Sequence, residues 1–476
     1  MKLIEKYING RINQFIYKFY LLIILKLLIT FFIIFLLIIY KKALFIDNLD
    51  INEKYSKIKM HLNLTFNEEI KFKIKIGIYA YCIQNGGRAR MTSILINYFY
   101  KIKIFKIYLF TRTNKEENEY KIPENIKRNC VKNNIIKIIK RNKIDILIYQ
   151  LNYYEEISIL NKLKNLNIIF YQHSSFFYEL YSNYTSFLSL YKEYQNSKYI
   201  VSIIRLESDY LFKKWGINSI LMNNFVTYEY NKVIPSSLSS NIILMIGRGN
   251  NKFKRFELGI HSMEYIIKDI EDCSMKIISN LNGTYNLQNI VNNLNLEQNI
   301  KFNGYTLTPE IQFKNASLHI FPTISESFGL VLCETKIFGI PNILVGLDYV
   351  SIAKGGTRII YDETSESIAK EAIKILQNKN YRKFLGKKAK NSMKKFNNEL
   401  LFNNWIKLIL CVYNGEKYYE ELKTNNKKMN ENEALIILKN QINLMKIRNS
   451  KYINITLNEF KNFTKMEEFL NMEKYI

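Results

Sequence analysis

The chain is poor in the residues that build small disulfide-stapled or metal-built scaffolds. Its 476 residues include only 5 prolines, 17 glycines, 5 cysteines and 4 histidines. Cys82, Cys130, Cys273, Cys333 and Cys411 are odd in number and widely spaced, with no CxxC pair. Neither a disulfide framework nor a structural zinc site is indicated, and the pattern leans toward a reducing compartment. Acidic residues are also in deficit: 69 Lys and Arg against 42 Asp and Glu leave a net charge of +27. Such a surplus fits nucleic acid, an anionic membrane surface or phosphorylated substrates. The basic residues are scattered through every segment, however. Ile, Lys, Asn, Tyr and Phe are abundant throughout, as in a chain with a uniform compositional bias from an AT-rich genome. No zinc-finger spacing or aromatic RNA-binding signature accompanies the charge, so nucleic acid is not expected as a partner. The length and the 48% hydrophobic content suffice for two or three domains with real cores.

One long apolar run is present. Residues 19–40 read FYLLIILKLLITFFIIFLLIIY, enough to cross a bilayer core as a helix. Its single charge, Lys26, can snorkel to the near interface. The run exceeds a signal-peptide core and lacks a small-residue cleavage site, so a transmembrane signal anchor is expected, after a short flank at 1–18. Lys2, Lys6, Arg11 and Lys18 precede it, while Lys41, Lys42 and Lys54 follow, and the positive-inside rule barely separates the flanks. A single-pass protein is expected, in the endoplasmic reticulum or Golgi if the source is eukaryotic, with a slight preference for a cytosolic catalytic domain. N-x-S/T sequons such as Asn282-Gly-Thr and Asn315-Ala-Ser arise easily by chance in so Asn-rich a chain.

Residues 41–72 read as a polar stem. Lys73-Ile-Lys-Ile-Gly-Ile78 then alternates as a strand does. Further strands are expected at 106–111, 144–149, 167–172 and 199–204, with helices between, such as 89–100 and 153–165. Val233-Ile-Pro-Ser-Ser-Leu-Ser-Ser240 gathers turn residues and reads as a linker. A second series follows, with strands near 241–246, 275–279, 299–303, 318–322 and 342–345 and helices near 255–269, 287–294, 307–314 and 328–338. Strands alternating with helices imply parallel doubly wound sheets. The expected architecture is α/β, with two Rossmann-like domains, 73–232 and 241–414, facing a cleft. Ligands of such sheets bind at the carboxyl ends of the strands. Residues 415–476 read as a helical or partly ordered extension.

Two segments carry chemistry. In the first, the strand 242–246 runs into Gly247-Arg248-Gly-Asn-Asn-Lys252-Phe-Lys254-Arg255 and then a helix. A strand-to-helix turn offers backbone N–H groups to an anion. Arg248 can add bidentate contacts to phosphate, and Lys252 or Lys254 a point charge. A solvated basic turn is the plain alternative. In the second, Phe321-Pro-Thr-Ile-Ser-Glu326-Ser327-Phe328-Gly329-Leu330 leads into a helix that bears Glu334. One acid sits on the loop and the other on the helix, both toward the same cleft. Carboxylates can accept bonds from sugar or ribose hydroxyls, and the amides near Phe328 to Leu330 can hold a phosphate. The alternative is an acidic loop plus one helix-surface Glu.

This second segment resembles the E-x7-E motif of GT4-type retaining glycosyltransferases. Its surroundings match as well, in Pro-Thr-x-x-Glu-Ser-Phe-Gly and then Glu-x-x-x-x-Gly-Ile-Pro. Gly247-Arg248 with Lys254 resembles the family's donor-phosphate motif, with one extra residue before Lys254. Ile300-Lys-Phe-Asn-Gly-Tyr305 is similar to the strand before the base-contacting loop, and Gly355-Gly356 to a late glycine turn. Gln84-Asn-Gly86-Gly87-Arg88 resembles the glycine loop that approaches the donor diphosphate and the acceptor. His173 stands where the family often has a histidine near the donor sugar, and Asn223-Asn224-Phe-Val is similar to a turn ending the first domain.

The resemblance implies a GT-B fold and a UDP- or GDP-sugar donor, with no metal and no other cofactor. It implies that Arg248, Lys254 or Lys252 and the helix start at Ser327–Leu330 hold the diphosphate. Glu334 would hold the ribose, and Glu326 would contact and orient the donor sugar. No DxD motif stands in a plausible site. Basic groups and helix dipoles aimed at the leaving diphosphate can supply the stabilisation a metal otherwise gives. A two-carboxylate hydrolase fits less well, because these acids lie beside a phosphate loop. The expected acceptor is lipid-linked, phospholipid or glycan. The alternatives are a GT-B epimerase or phosphorylase, or a catalytically silent GT-B membrane protein that serves binding or assembly.

Overall fold

The computed structural model describes residues 73–84, 86–116, 119–131, 134–150, 163, 165–173, 194, 197–205, 207–208, 211, 217–248, 254–281, 284–304, 306, 308–323, 326–346, 352, 354–416 and 418. The chain divides into two compact units, Met1–Lys73 with Ile102–Ile104, and Ile74–Lys101 with Phe105–Ile476. All elements named below lie in the second unit. The flank, the apolar run 19–40, the stem, most of the helix expected at 153–165 and the extension beyond 418 lie outside the described residues. Among the described residues, no helix is long and apolar enough to cross a membrane.

The first sheet is parallel throughout. Its strands are β1 (Ile74–Ala80), β2 (Phe105–Thr111), β3 (Lys127–Cys130), β4 (Ile146–Tyr149), β5 (Asn167–Tyr171), β6 (Tyr199–Ser202) and β7 (Ile220–Leu221). Their order is β3-β2-β1-β4-β5-β6-β7. Helix α1 (Gly87–Tyr100) follows β1, and α2 (Ile135–Asn142) precedes β4. Four or more consecutive residues of β1, β2, β4 and β5 are buried, as expected for parallel strands covered on both faces.

The second sheet is also parallel. It comprises β8 (Ile242–Ile246), β9 (Ser274–Ile278), β10 (Ile300–Asn303), β11 (Leu318–Phe321), β12 (Asn342–Val345) and β13 (Thr357–Ile360), in the order β10-β9-β8-β11-β12-β13. Its helices are α3 (Phe256–Asp269), α4 (Tyr285–Asn293), α5 (Glu310–Phe313), α6 (Leu330–Ile337), α7 (Ser365–Gln377) and α8 (Lys379–Ser392). Ile243, Met245, Ile277 and Ile320 of the sheet pack with Ile260, Met263 and Ile266 of α3 and Ile368, Ala372 and Ile375 of α7 in one buried cluster. Thr364 accepts from the Ser367 amide at the start of α7, and Asn378 from the Tyr381 amide at the start of α8. Short polar side chains there satisfy helix N–H groups that lack partners within the helix.

Both sheets reverse strand order at one point, between β1 and β4 and between β8 and β11. The loops leaving the carboxyl ends of those strands form the crevice where doubly wound sheets bind ligands. The basic loop follows β8, the Glu326 loop follows β11, and the Gly86–Gly87 turn follows β1.

Two segments behave differently from a simple two-domain reading. The stretch 233–240 is docked on the second domain: the Ser236 amide donates to the Phe338 carbonyl at 2.8 Å and its hydroxyl to the Ala316 carbonyl at 2.6 Å. The last described helix, α9 (Asn398–Asn414), returns to the first sheet. Its Trp405 is fully buried, with ring centroids 4.9 Å from Tyr171 and 6.3 Å from Phe99. Asn398 exchanges hydrogen bonds with the backbone N–H and C=O of Val226, each at 2.8 Å.

Candidate active site

Two carboxylates are held in contrasting ways at the second sheet's switch point. Glu326 stands on the loop after β11, and its Oε2 accepts from Lys254 Nζ at 2.9 Å. Lys254 lies just before α3 and is also set over the Phe321 ring at 5.2 Å. Both partners are about a fifth exposed, at 18% and 22%. Between this loop and α6 the backbone turns at Gly329, whose φ of 80° is left-handed. That conformation disfavours a side chain and starts the helix without a capping group. Its neighbour Phe328 is buried, edge-on to Phe396 at 5.6 Å.

Glu334, one turn into α6, is only 2% exposed. Its Oε1 accepts from Thr227 Oγ1 at 2.8 Å and from Arg90 Nη1. Arg90 belongs to α1 of the first domain, so a first-domain cation meets a second-domain carboxylate. Nearby, a Cβ placed on Gly87 would lie 3.1 Å from Leu330 Cδ1. The start of α1 therefore stands against the start of α6.

Residues 228–392, which contain the basic loop and both acids, match the family described as glycosyl transferases group 1. An uncharacterized glycosyltransferase of Haemophilus influenzae is 24% identical over 289 residues, 56% of this chain and 79% of its own length. A D-inositol 3-phosphate glycosyltransferase of Paenarthrobacter aurescens is 31% identical over 97 residues, 19% of this chain and 24% of its own length. Among solved structures, sucrose-phosphate synthase of Thermosynechococcus elongatus superimposes with a TM-score of 0.58 at 14% identity, over 72% of this chain and 100% of that one. Anabaena HepE in complex with UDP and glucose gives 0.58 at 12% identity, over 71% of this chain and 99% of its own. The chain carries a group 1 glycosyl transferase domain over residues 228–392. Its two parallel Rossmann-like sheets are the GT-B arrangement.

The remaining expected residues are placed as follows. Gly86 and Gly87 open α1, and the Gly86 carbonyl accepts the Arg90 amide at 3.1 Å. Arg248 is exposed beyond the end of β8. Ser327 is half-buried on the Glu326 loop. Lys252 lies outside the described residues. His173, two residues past β5, is buried with its ring 3.9 Å from that of Tyr171. Burial, and then the nearby Arg88, hold its imidazole well below the usual histidine range, so it is neutral at physiological pH. Its Nε2 has no hydrogen-bond partner among the described residues. Arg255, the last residue of the basic loop, is used by the fold: its Nε donates to the Pro322 carbonyl at 2.7 Å and its Nη1 pairs with Glu363 at 2.9 Å. That pins the β8 loop to the β11 loop.

Arg90 and Thr227 were not legible as site residues. Arg90 sits with Arg88 just after the glycine turn, and that pair of arginines is the one sequence signal for it. Thr227 follows the Asn223-Asn224-Phe-Val sequence, which resembles a turn ending the first domain and carries no chemical signal of its own. Burial raises the Glu334 carboxyl above the ordinary range, opposed by Arg90 and the Thr227 bond. The neighbouring Tyr228 hydroxyl donates to Glu310 Oε2 at 2.9 Å, and burial together with Glu334 pushes its ionisation up. Lys336, buried on the far side of α6, donates to the carbonyls of Ile352 and Lys354 and so holds the chain leaving β12.

Proposed function

We propose that the protein is a membrane-anchored, retaining glycosyltransferase that moves a sugar from a UDP- or GDP-sugar to a lipid-linked, phospholipid or glycan acceptor, without a metal or other cofactor. The observation that carries this reading is the Lys254–Glu326 pair at the second sheet's switch point, beside a left-handed glycine that launches a helix. A cation, a loop carboxylate and free helix amides then stand within one ligand's reach. In this reading Arg248 and Lys254, with Lys252, take the diphosphate together with the amides of Ser327, Phe328, Gly329 and Leu330. Glu334 accepts from the ribose, and Glu326 from the donor sugar. Gly86 and Gly87 let backbone approach the donor, and neutral His173 faces the sugar. The UDP held by the HepE relative makes a uridine donor the first to try.

The acceptor hydroxyl oxygen bonds to the anomeric carbon on the face from which the diphosphate departs. The bond from that carbon to the diphosphate oxygen breaks, and the hydroxyl proton passes to the leaving phosphate. Negative charge grows on the diphosphate, so preorganised cations and amides lower the barrier. The run 19–40 serves as the anchor, and the basic surplus suits an anionic leaflet.

A panel of UDP- and GDP-sugars should raise the unfolding temperature of the full-length protein in detergent. A ligand at ~100 times its Kd adds about 2.7 kcal/mol of stability, a shift of a few degrees in a protein of this size. A panel with no shift at all would sink the reading. Protease accessibility in sealed vesicles would report which side the two sheets face.

A further inference from the structure

Glu334 is almost fully buried, yet both of its bonds fall on one oxygen, Oε1, and both donors come from outside the sheet that carries it in the order of the chain. Thr227 comes from the segment joining the two sheets, and Arg90 from the first domain. Arg90 Nη1 also donates to Thr227 Oγ1 at 3.4 Å, and the Arg90 guanidinium stacks over the Tyr120 ring at 5.4 Å. The guanidinium is thus fixed on three sides. Its side chain is 16% exposed.

We propose that Arg90 is a positioning residue of the donor site: it holds Glu334 as a carboxylate through Oε1 and leaves Oε2 to accept the ribose hydroxyls of a nucleoside diphosphate. The inference rests on the reading of Glu334 as the ribose acceptor. It makes donor affinity depend on a residue more than a hundred positions before the matched domain 228–392. It also ties the donor site to the glycine turn, because the Arg90 amide bonds the Gly86 carbonyl within the same helical turn. A buried carboxylate stripped of its cation takes up a proton instead of remaining charged. A neutral carboxyl is a weaker acceptor for hydroxyls than a carboxylate. The groups that face Glu334 are Arg90 on α1, Tyr228 and Thr227 on the joining segment, Glu310 on α5 and Cys333 on its own helix. Arg90 is the one cation among them, and Glu310 opposes it.

The test is titration calorimetry of full-length protein in detergent with UDP and with GDP, from pH 5 to 8. Arg90→Met should weaken binding by about tenfold or more at the acid end. It should also move the pH midpoint of binding to higher pH than in the parent. Arg90→Lys should restore most of that midpoint. Glu334→Gln should remove the difference between the parent and R90M, while the nucleotide's own titration stays common to all. Equal affinity and an unmoved midpoint in R90M would overturn the proposal and leave the donor site standing. A parent that binds neither diphosphate would overturn the donor-site reading itself. Should R90M fail to fold, Glu334→Gln decides alone, because a pH dependence there identical to the parent's overturns the proposal.

Discussion

Lys254 Nζ and Glu326 Oε2 are 2.9 Å apart across the switch point between β8 and β11. The pair is partly solvated, and such pairs add at most about 1 kcal/mol to stability. In the proposed reading, little is therefore lost when a diphosphate draws Lys254 away and a sugar hydroxyl takes its place on Glu326.

The first prediction follows from that exchange. Lys254→Ala should lower kcat/KM by roughly 10²–10³, the cost of removing one group aimed at developing charge. Glu326→Ala should abolish transfer. Both variants should keep the parent's circular dichroism and unfold within about 1 kcal/mol of it. Glycosyl transfer assays with a nucleotide sugar check this, and full activity in E326A would sink the assignment.

The second prediction concerns the turn before β13. Gly356 has a φ of 66°, and a Cβ there would lie 2.3 Å from both the Ala389 amide nitrogen and the Leu385 carbonyl oxygen. Those are backbone atoms of α8, so no side chain can swing aside. Gly356→Ala combines overpacking with left-handed strain and should cost about 3 kcal/mol or more. Gly304→Ala is the control. The nearest atom to its Cβ is 4.0 Å away, in Leu281, and its effect should stay below about 1 kcal/mol. Chemical unfolding of the two variants separates them.

The parts of the fold that were legible in the sequence are the central ones. Strands such as Ile146–Tyr149 and Leu318–Phe321 are buried throughout and almost wholly apolar, His319 being the exception, because both faces are covered. Edge strands obey no such rule. Lys127–Cys130 is partly exposed and polar, Ile220–Leu221 is two residues long, and Thr357–Ile360 is half-buried along its length. None of the three was expected, since pairing on one side only leaves their composition free. For the candidate site, the basic loop and the two acids were visible as local patterns on one domain. The Arg90–Glu334 contact spans 244 positions, and no local periodicity records such a pairing. The return of helix Asn398–Asn414 to the first sheet was not visible either. Amphipathic spacing tells which face is buried, not against what.

The third prediction is a pH dependence of stability. His319 is buried on β11, with Nδ1 2.7 Å from Asn342 Oδ1, and Thr335 Oγ1 donates to the same oxygen at 2.8 Å. Burial lowers its pKa from 6.5 to about 4, opposed in part by the Asn342 bond. Between those values the unfolded chain binds a proton that the folded chain refuses. Stability therefore falls as pH drops from 6.5 to about 4 and, for this group, levels off below that. Its share is up to about 3 kcal/mol. His319→Gln should flatten that limb of the curve, measured as denaturation midpoints across the window. An unchanged slope would show that His319 does not titrate as its surroundings require.

The fourth prediction tests how the chain's last described helix serves the first domain. Trp405 fills the space between Phe99 on α1 and Tyr171 on β5, and Phe402, one turn earlier, stacks on Tyr98 at 4.6 Å. Truncation to alanine leaves a cavity too deep for the neighbours to close, and Trp405→Ala should cost about 3–5 kcal/mol. Because the lost contacts belong to the first sheet, hydrogen exchange should quicken in β1, β4 and β5 before it does in β8, β11 and β12. His173 packs on Tyr171, so in the proposed reading transfer activity should fall in W405A even where the second sheet still protects its amides. Uniform loss of protection across both sheets would instead mean that α9 belongs energetically to the whole molecule and not to the first domain.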